Sequence, residues 1–425
     1  MNNIAAHSSQ ILVEILDRNM PFNLAIRSVL KDSKISAAER NEIIKSVGCS
    51  LRHYYVFSYL SEKTFGSLDV SNLSYVLLYF SNRLFIKSVP LEEITEILVE
   101  SLSKLERFKN QDVASIIAGI DVTAENLIPP EINKDTPDYL SYRFNTPLWL
   151  VKMWTKHFGE HITYRILRSN SKPSVTFCLV NKEKNTQEEL LIKYDDLMAS
   201  PFPNFVVTKD KSNIKKHIAF QKKEIIDISP AWNEVFAAAD TDPMRGIAIY
   251  TSYPNNAFLS LLYKYNRDVK FDLVIGDSQA FFASKKTIVN FELKNASFFE
   301  ATPTQIITCI SKPVHTFFLF PDSSKFALLK ATPDYFLRAS ADQLDGIIKS
   351  EELALKECGA LVEDGGQLIY AVPTINKKES RRLIKRFIEN NPSFSLVADK
   401  QIFPFSEYEE SLFFAVLKKE ELKDA

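Results

Sequence analysis

The stretch Asp364-Gly365-Gly366-Gln367-Leu368-Ile369-Tyr370-Ala371-Val372 decides the fold class. The residues before it, 341–358, carry apolar side chains at helical spacing, and a second helical run follows over 377–389. Glycine takes the left-handed conformation that ends a helix, so Gly365-Gly366 is expected to close the first helix and release a strand over Gln367–Val372. A short, continuously apolar strand between two helices fits a mostly parallel sheet covered on both faces.

Working outward, the same alternation recurs. Strands are predicted at Ile247–Tyr250, Phe271–Ile275, Ile306–Ile310 and Val314–Phe320, with a final one at Leu412-Phe413-Phe414-Ala415-Val416-Leu417, and a helix over 256–265. Such a sheet places ligands beyond the carboxyl ends of its strands. Toward the N-terminus, Val175, Phe177 and Leu179 alternate as a strand should, and Thr146-Pro147-Leu148-Trp149 starts a helix with Pro147 suited to the first turn. Three prolines between Leu127 and Asp138 forbid a continuing helix. Before them the pattern is helical throughout: Ile11, Leu12, Ile15 and Leu16, then Ile43, Ile44, Val47 and Leu51, with further runs at 72–87, 91–108 and 112–120, and a capping box Ser36-Ala37-Ala38-Glu39. The expected organisation is multidomain: an all-α bundle over 1–126, a linker over 127–138, a small α+β domain over 139–217 and an α/β Rossmann-like domain over 218–425.

Composition removes several classes of function. The 425 residues are 45% apolar and 25% charged with net charge −1, a large-core chain and not a uniformly basic one. Only 10 glycines are present, and neither G-x-G-x-x-G nor G-x-x-x-x-G-K can be written from their positions, so the usual phosphate-cradling loops are absent. Cys49, Cys178, Cys309 and Cys358 are too dispersed for a disulfide framework or a zinc knuckle, which fits a reducing cytoplasm. The start Met1-Asn2-Asn3-Ile4 has no basic segment and apolar core of a signal peptide, and no apolar run approaches a membrane span. His157 and His161 are four apart, but Gly159 interrupts them and no third ligand stands out, so no metal is expected.

Positive charge is concentrated locally. Residues 209–223 hold Lys209, Lys211, Lys215, Lys216, Lys222 and Lys223 against Asp210. Residues 376–386 hold Lys377, Lys378, Arg381, Arg382, Lys385 and Arg386 against Glu379, with Lys378, Arg382 and Lys385 sharing a helical face opposite Leu383, Ile384 and Phe387. Arg143, Lys152 and Lys156 lie near Trp149 and Trp154. These clusters read either as solvated helix faces or as phosphate contacts that release counterions. The tryptophans read as core or as platforms for an unpaired base. Asp277, just past the strand 271–275, reads as a turn residue or as an acceptor for ribose hydroxyls.

Several landmarks occur together in a known order. Tyr142-Arg143-Phe144-Asn145-Thr146-Pro147-Leu148-Trp149-Leu150, Asn170 and Pro173 with Leu179-Val180-Asn181, Asp227-Ile228-Ser229, Thr332-Pro333-Asp334 and Asp364–Ala371 resemble successive motifs of the RsmB (Sun/Fmu) family of RNA cytosine-5 methyltransferases. The resemblance implies a NusB-like bundle, a small RNA-binding domain and a methyltransferase domain that uses S-adenosylmethionine. It places the cofactor loop at Ile249–Ala257, with Pro254, Asn255, Asn256 and Asp277 as the residues facing the cofactor; the basic clusters then supply the candidate RNA contacts, Arg143, Lys215, Lys216, Lys222, Lys223, Lys377, Lys378, Arg381, Arg382 and Lys385.

The departures are specific. The acid, both glycines and the lysine of the family's cofactor loop are missing, and Asn255 and Asn256 stand where glycines would let a ligand approach the backbone. The two cysteine positions hold Ser323 and Pro373, so no thiolate is present to attack the cytosine ring. Three functions follow in order of preference: a pseudoenzyme that binds structured RNA, ribosomal or transfer, without methylating cytosine and without a bound cofactor; an active S-adenosylmethionine-dependent methyltransferase with an altered site; and a protein-interaction scaffold acting through the N-terminal bundle. The chain is expected to be a cytoplasmic monomer.

Overall fold

The computed structural model describes residues 4–31, 33–172, 175–208, 214–253, 256–260, 269–290, 293–326, 334–338 and 340–421. The chain folds into two compact units, Met1–Ser171 with Leu329–Ala339, and Lys172–Leu328 with Ser340–Ala425.

The first unit is helical. Helices run over Ile4–Leu16, Phe22–Leu30, Ala37–Arg52, Tyr54–Phe65, Val70–Leu84, Leu91–Ser103 and Val113–Ala118. The apolar positions read from the periodicity meet in one core: Ile11, Leu12, Ile15, Ile43, Val47 and Leu51 pack with Phe57, Leu77 and Phe80. Ser36 and Glu39 form the expected capping box. Where helices approach closely the contacts are small and polar, Ser9 on Ser74 at 2.5 Å and Ser50 on Ser81 at 2.8 Å. Helices Pro137–Arg143, Leu148–Phe158 and Glu160–Asn170 also fall in this unit, so the boundary between units lies inside the segment 139–217. Pro147 precedes its helix as the cap residue. Asn145, in a left-handed backbone conformation, ties this segment to the bundle: its side chain donates to the Leu51 carbonyl at 2.7 Å and accepts the Tyr55 N–H at 3.1 Å. Trp154 and His157 are buried while His161 is exposed. Among the described residues no group of three or more ligating side chains can hold a metal.

A short return completes this unit. The Asp334 carboxylate accepts the Phe22 N–H at 3.1 Å and pairs with Arg338 at 2.8 Å, Tyr55 Oη donates to the Phe336 carbonyl, and Leu337 packs against the bundle core.

The second unit contains two sheets. Strands β1 (Phe177–Val180), β2 (Leu197–Ala199), β3 (Phe205–Thr208) and β4 (Ile225–Asp227) form an antiparallel sheet in the order β2-β3-β1-β4. Its alternate residues serve two cores: Phe177 and Leu179 face one cluster, Cys178 and Val180 the other. The larger sheet contains β5 (Ile247–Thr251), β6 (Phe271–Ile275), β7 (Ala296–Glu300), β8 (Val314–Phe320), β9 (Val362–Val372), β10 (Phe394–Ile402) and β11 (Leu412–Lys419) in the order β10-β11-β9-β8-β5-β6-β7. Strands β5 to β9 pair in parallel, and β11 runs antiparallel between β9 and β10. Both faces are apolar, as the unbroken runs require. Ile247, Ile249, Phe318, Phe320, Ile369 and Ala371 fill one core, Ala248, Tyr250, Phe317, Leu319, Leu368 and Tyr370 the other.

Three local expectations are corrected. Residues 306–310 form a helical turn, Ile306–Cys309, not a strand. Pro303 starts the turn, and the cap residue Thr302 donates its hydroxyl to Gln305 Oε1 at 2.9 Å. Ile306 and Ile310 are buried while Ile307 is 66% exposed, a spacing of four. The pair Gly365-Gly366 does not end the helix Ala341–Ala360; it lies inside β9. In the β8–β9 register Val314 opposes Val362 and Thr316 opposes Gln367, so four residues of β9 bulge opposite His315. Gly365 takes φ +76° there, and a Cβ on Gly366 would lie 2.6 Å from the His315 carbonyl oxygen. Gly366→Ala should therefore cost about 1–3 kcal/mol by overpacking, read as a lower denaturation midpoint. Finally, Lys378 is not on the helical face with Arg382 and Lys385: the helix runs over Arg381–Asn390, and 377–380 is a turn fastened by Asn376, which accepts the Lys378 N–H at 3.0 Å.

Candidate functional site

In the large sheet the chain proceeds from β5 outward to β6 and β7, then returns to β8 on the other side of β5. The carboxyl ends of β5 and β8 therefore border the switch-point crevice, the usual ligand position in such sheets. The two ends are joined by Ser252 N–H to the Phe320 carbonyl at 3.1 Å, and the β6 end joins through Gly276 N–H to the Thr251 carbonyl at 2.9 Å.

Of the four residues expected to face a cofactor, Pro254 and Asn255 lie outside the described residues. Asn256 is half-buried and accepts a hydrogen bond from Thr287 Oγ1 at 3.3 Å. Asp277 is exposed, and its Oδ1 accepts the Ala280 N–H at 2.8 Å at the start of the helix Ser278–Asn290. Tyr250, 1% exposed, packs its hydroxyl against Gly276, where a Cβ would overlap it. Phe320 is also buried, but in the core against Trp232 and Phe236 and not in the crevice. Lys325 Nζ pairs with Asp322 at 2.7 Å and lies 5.6 Å from the centre of the Tyr253 ring. The two described groups, Asn256 and Asp277, are each engaged by a hydrogen bond within the chain.

The ends of β8 and β9 carry the positions where the family has cysteines. Ser323 is 3% exposed, and its hydroxyl accepts the Lys325 N–H at 3.3 Å. Beside it stands a buried acidic centre. Glu379 Oε1 accepts the Ser324 N–H at 2.6 Å. Its Oε2 accepts from Asn376 at 2.7 Å and Thr374 at 3.2 Å. Burial raises its pKa against these donors. Glu351, on the helix Ala341–Ala360, is wholly buried, and neither carboxyl oxygen receives a hydrogen bond. The neighbouring Tyr370 hydroxyl is spent on the Glu379 carbonyl at 2.8 Å. Burial, reinforced by the negative charge of Glu379, holds Glu351 well above the carboxylate range. Ion-binding thiols are absent from this centre: Cys49, Cys178 and Cys358 are buried elsewhere with their pKa values raised by burial, and Cys309 is half-buried.

The cationic residues fall into separate places. Arg143, in the helical unit, lies over the rings of Tyr139 and Phe144. Lys215 and Lys216 are exposed on a single turn. Lys222 and Lys223 form a built turn: Lys223 takes φ +61°, its carbonyl accepts from Asn181 at 3.0 Å, and the Lys222 carbonyl accepts from Lys184 Nζ at 2.7 Å. At the turn after β9 and on the helix Arg381–Asn390, Lys377 is half-buried and Lys378, Arg381, Arg382 and Lys385 are exposed. Arg381 is clamped on Asp399 at 2.7 Å, and Lys385 lies 3.7 Å from Glu389. The buried Glu379 thus anchors the turn that displays Lys377, Lys378 and Arg381.

Sequence reasoning missed Tyr250, Lys325 and Glu351. A signal for Glu351 exists: Leu344, Ile348, Glu351, Leu355 and Cys358 repeat at core spacing, so the acid occupies an apolar position. Lys325 had no such signal.

No protein-family model matches the chain. A curated relative, the probable ribosomal RNA small subunit methyltransferase B of Bacillus subtilis (strain 168), is 22% identical over 407 residues, covering 89% of this chain and 87% of the relative. The chain is a homologue of the RsmB (Sun/Fmu) family. Among solved structures, PH0851 superposes with a TM-score of 0.72 at 17% identity, covering 98% of this chain and 99% of that one. NSun6 from Pyrococcus horikoshii with SFG gives 0.57 at 10% identity over 64% of this chain and 98% of its own. These likenesses establish the shared fold, a helical N-terminal region with a Rossmann-like methyltransferase sheet. No helix among the described residues is long and apolar enough to cross a membrane.

Proposed function

We propose that the chain binds structured RNA and does not methylate cytosine through a thiolate. The carrying observation is the pair of family cysteine positions: one is a proline, and the other is Ser323, a buried hydroxyl engaged by the Lys325 N–H. A serine hydroxyl is a far weaker nucleophile than a thiolate, and this one is already held in a hydrogen bond within its own turn. The similarity to a ribosomal RNA methyltransferase supports RNA as the partner, and the built turn at Lys222–Lys223 supports a phosphate contact in the small-sheet region.

Fluorescence anisotropy with a structured RNA tests the binding. Micromolar or tighter affinity with a steep salt dependence is expected, and absence of binding at low salt overturns the reading. Lys222→Gln with Lys223→Asn, the asparagine chosen because it tolerates the left-handed backbone, should weaken binding across RNA sequences and flatten the log–log salt slope by about 2. A second reading, an S-adenosylmethionine-dependent RNA methyltransferase with an altered site, is favoured by the preserved strand order around the switch point. Methyl transfer from labelled cofactor to RNA would establish it in place of the first.

A further inference from the structure

Trp154 is wholly buried and offers no face to a base. Other rings stand with Arg143. Its guanidinium carbon lies 5.8 Å from the centre of the Tyr139 ring and 5.6 Å from that of Phe144, and one of its N–H groups donates to Tyr139 Oη at 2.9 Å. Phe144 in turn meets Tyr164, on the helix Glu160–Asn170, edge to face at 5.6 Å. The result is a continuous row, Tyr139–Arg143–Phe144–Tyr164, that links the helix Pro137–Arg143 to the middle of the helix Glu160–Asn170.

The row is cationic and open to solvent. Arg143 is exposed and Tyr164 is 38% exposed. On the helix Glu160–Asn170, His161, Tyr164, Arg165 and Arg168 are exposed at the spacing i, i+3, i+4 and i+7, so they share one face, while Thr163, Ile166 and Leu167 are buried. The acids of the two helices, Asp138 and Glu160, fall in their first turns and leave the later turns to arginine. An exposed arginine loses side-chain entropy when it binds a partner, and one already laid on rings loses less. A planar cation and aromatic rings in one row match the flat face of a nucleobase, and arginines beside the row match the phosphates next to it.

We propose that this row is a stacking site for an unpaired nucleobase, with Arg165 and Arg168 placed for the neighbouring phosphates. The site rests on the reading of the chain as an RNA binder and names the part of an RNA that it takes. That part is a loop, a bulge or a single strand, whose bases are free to splay out. It differs in kind from the turn at Lys222–Lys223, where point charges meet a backbone whether or not its bases are paired.

Fluorescence anisotropy of the full chain with two RNAs tests this: a hairpin with an unpaired loop, and a blunt duplex with the same number of phosphates. Arg143→Lys keeps the charge and removes the plane. It should weaken hairpin binding about tenfold, as expected for one stacked base, and leave duplex binding within about twofold. Its salt slope should remain that of the unaltered chain, because no charge is lost. Tyr164→Leu, which keeps an apolar contact with Phe144, should weaken the hairpin alone by a similar factor, and Tyr164→Phe should not. Arg168→Gln should weaken both RNAs and lower the salt slope by about 1. A thermal melt of each variant confirms that it folds. The stacking site is overturned if Arg143→Lys binds the hairpin as the unaltered chain does, or if it weakens hairpin and duplex equally, which would make Arg143 a backbone contact. Should the unaltered chain bind neither RNA, the reading of the chain as an RNA binder fails and the site with it. Binding of both RNAs without an effect of Arg143→Lys or Tyr164→Leu removes the stacking site alone.

Discussion

Replacing Glu379 by alanine should lower the melting temperature of the second unit by about 10 °C and weaken RNA binding together with it. The carboxylate holds the Ser324 N–H, the Asn376 amide and the Thr374 hydroxyl, so it fastens the end of β8 to the turn after β9. Its removal leaves buried donors without an acceptor, at about 1–3 kcal/mol each. Even about 3–4 kcal/mol in total corresponds to that shift in a unit of this size. The turn it fastens carries Lys377 and Lys378 and leads into Arg381. Differential scanning calorimetry and anisotropy should therefore report parallel losses, with Glu379→Gln milder in both because it retains one acceptor oxygen. An unchanged melt for Glu379→Ala would show that the three hydrogen bonds do not organise this end of the sheet.

Glu351→Gln should act in the opposite direction. Burial holds the Glu351 pKa well above its unfolded value, so the folded chain keeps a proton that the unfolded chain releases. Below the unfolded pKa both states are protonated and nothing is lost. As pH rises above about 4.5, the unfolded state gains the freedom to ionise and stability falls until the folded pKa is reached. A glutamine has no proton to hold and can still donate to the Tyr370 oxygen. The variant should melt above the unaltered chain at pH 8 by about 3 °C or more, with the gain shrinking toward pH 5. A gain independent of pH would mean that Glu351 is not the titrating group.

The α/β unit was legible in the sequence because its strands are buried on both faces and read as continuous apolar runs, as at Val314–Phe320. The errors arose where a local rule competed with a long-range one. The run Ile306–Ile310 is as apolar as a strand, but capping by Thr302 and Gln305 and a spacing of four make it helical. The glycines at 365 and 366 looked like a helix end because their partner, the His315 carbonyl, lies on another strand. The site was less legible. Asp277 and Asn256 could be located by position, but their hydrogen bonds to Ala280 and Thr287 could not. The Asp322–Lys325–Tyr253 bridge joins two strand ends some seventy residues apart in sequence, a juxtaposition that only the parallel crossover creates.

The chain leaves the helical unit at Ser171 and comes back to it only at Leu329–Ala339. During synthesis, the Phe22 N–H and the Tyr55 hydroxyl therefore wait for Asp334 and Phe336 until four of the seven strands of the large sheet, β5 to β8, have been made and only β9, β10 and β11 remain. The bundle is begun first and finished late, so a fragment ending at Ser171 is not the native bundle, and one proteolytic cut cannot release it whole.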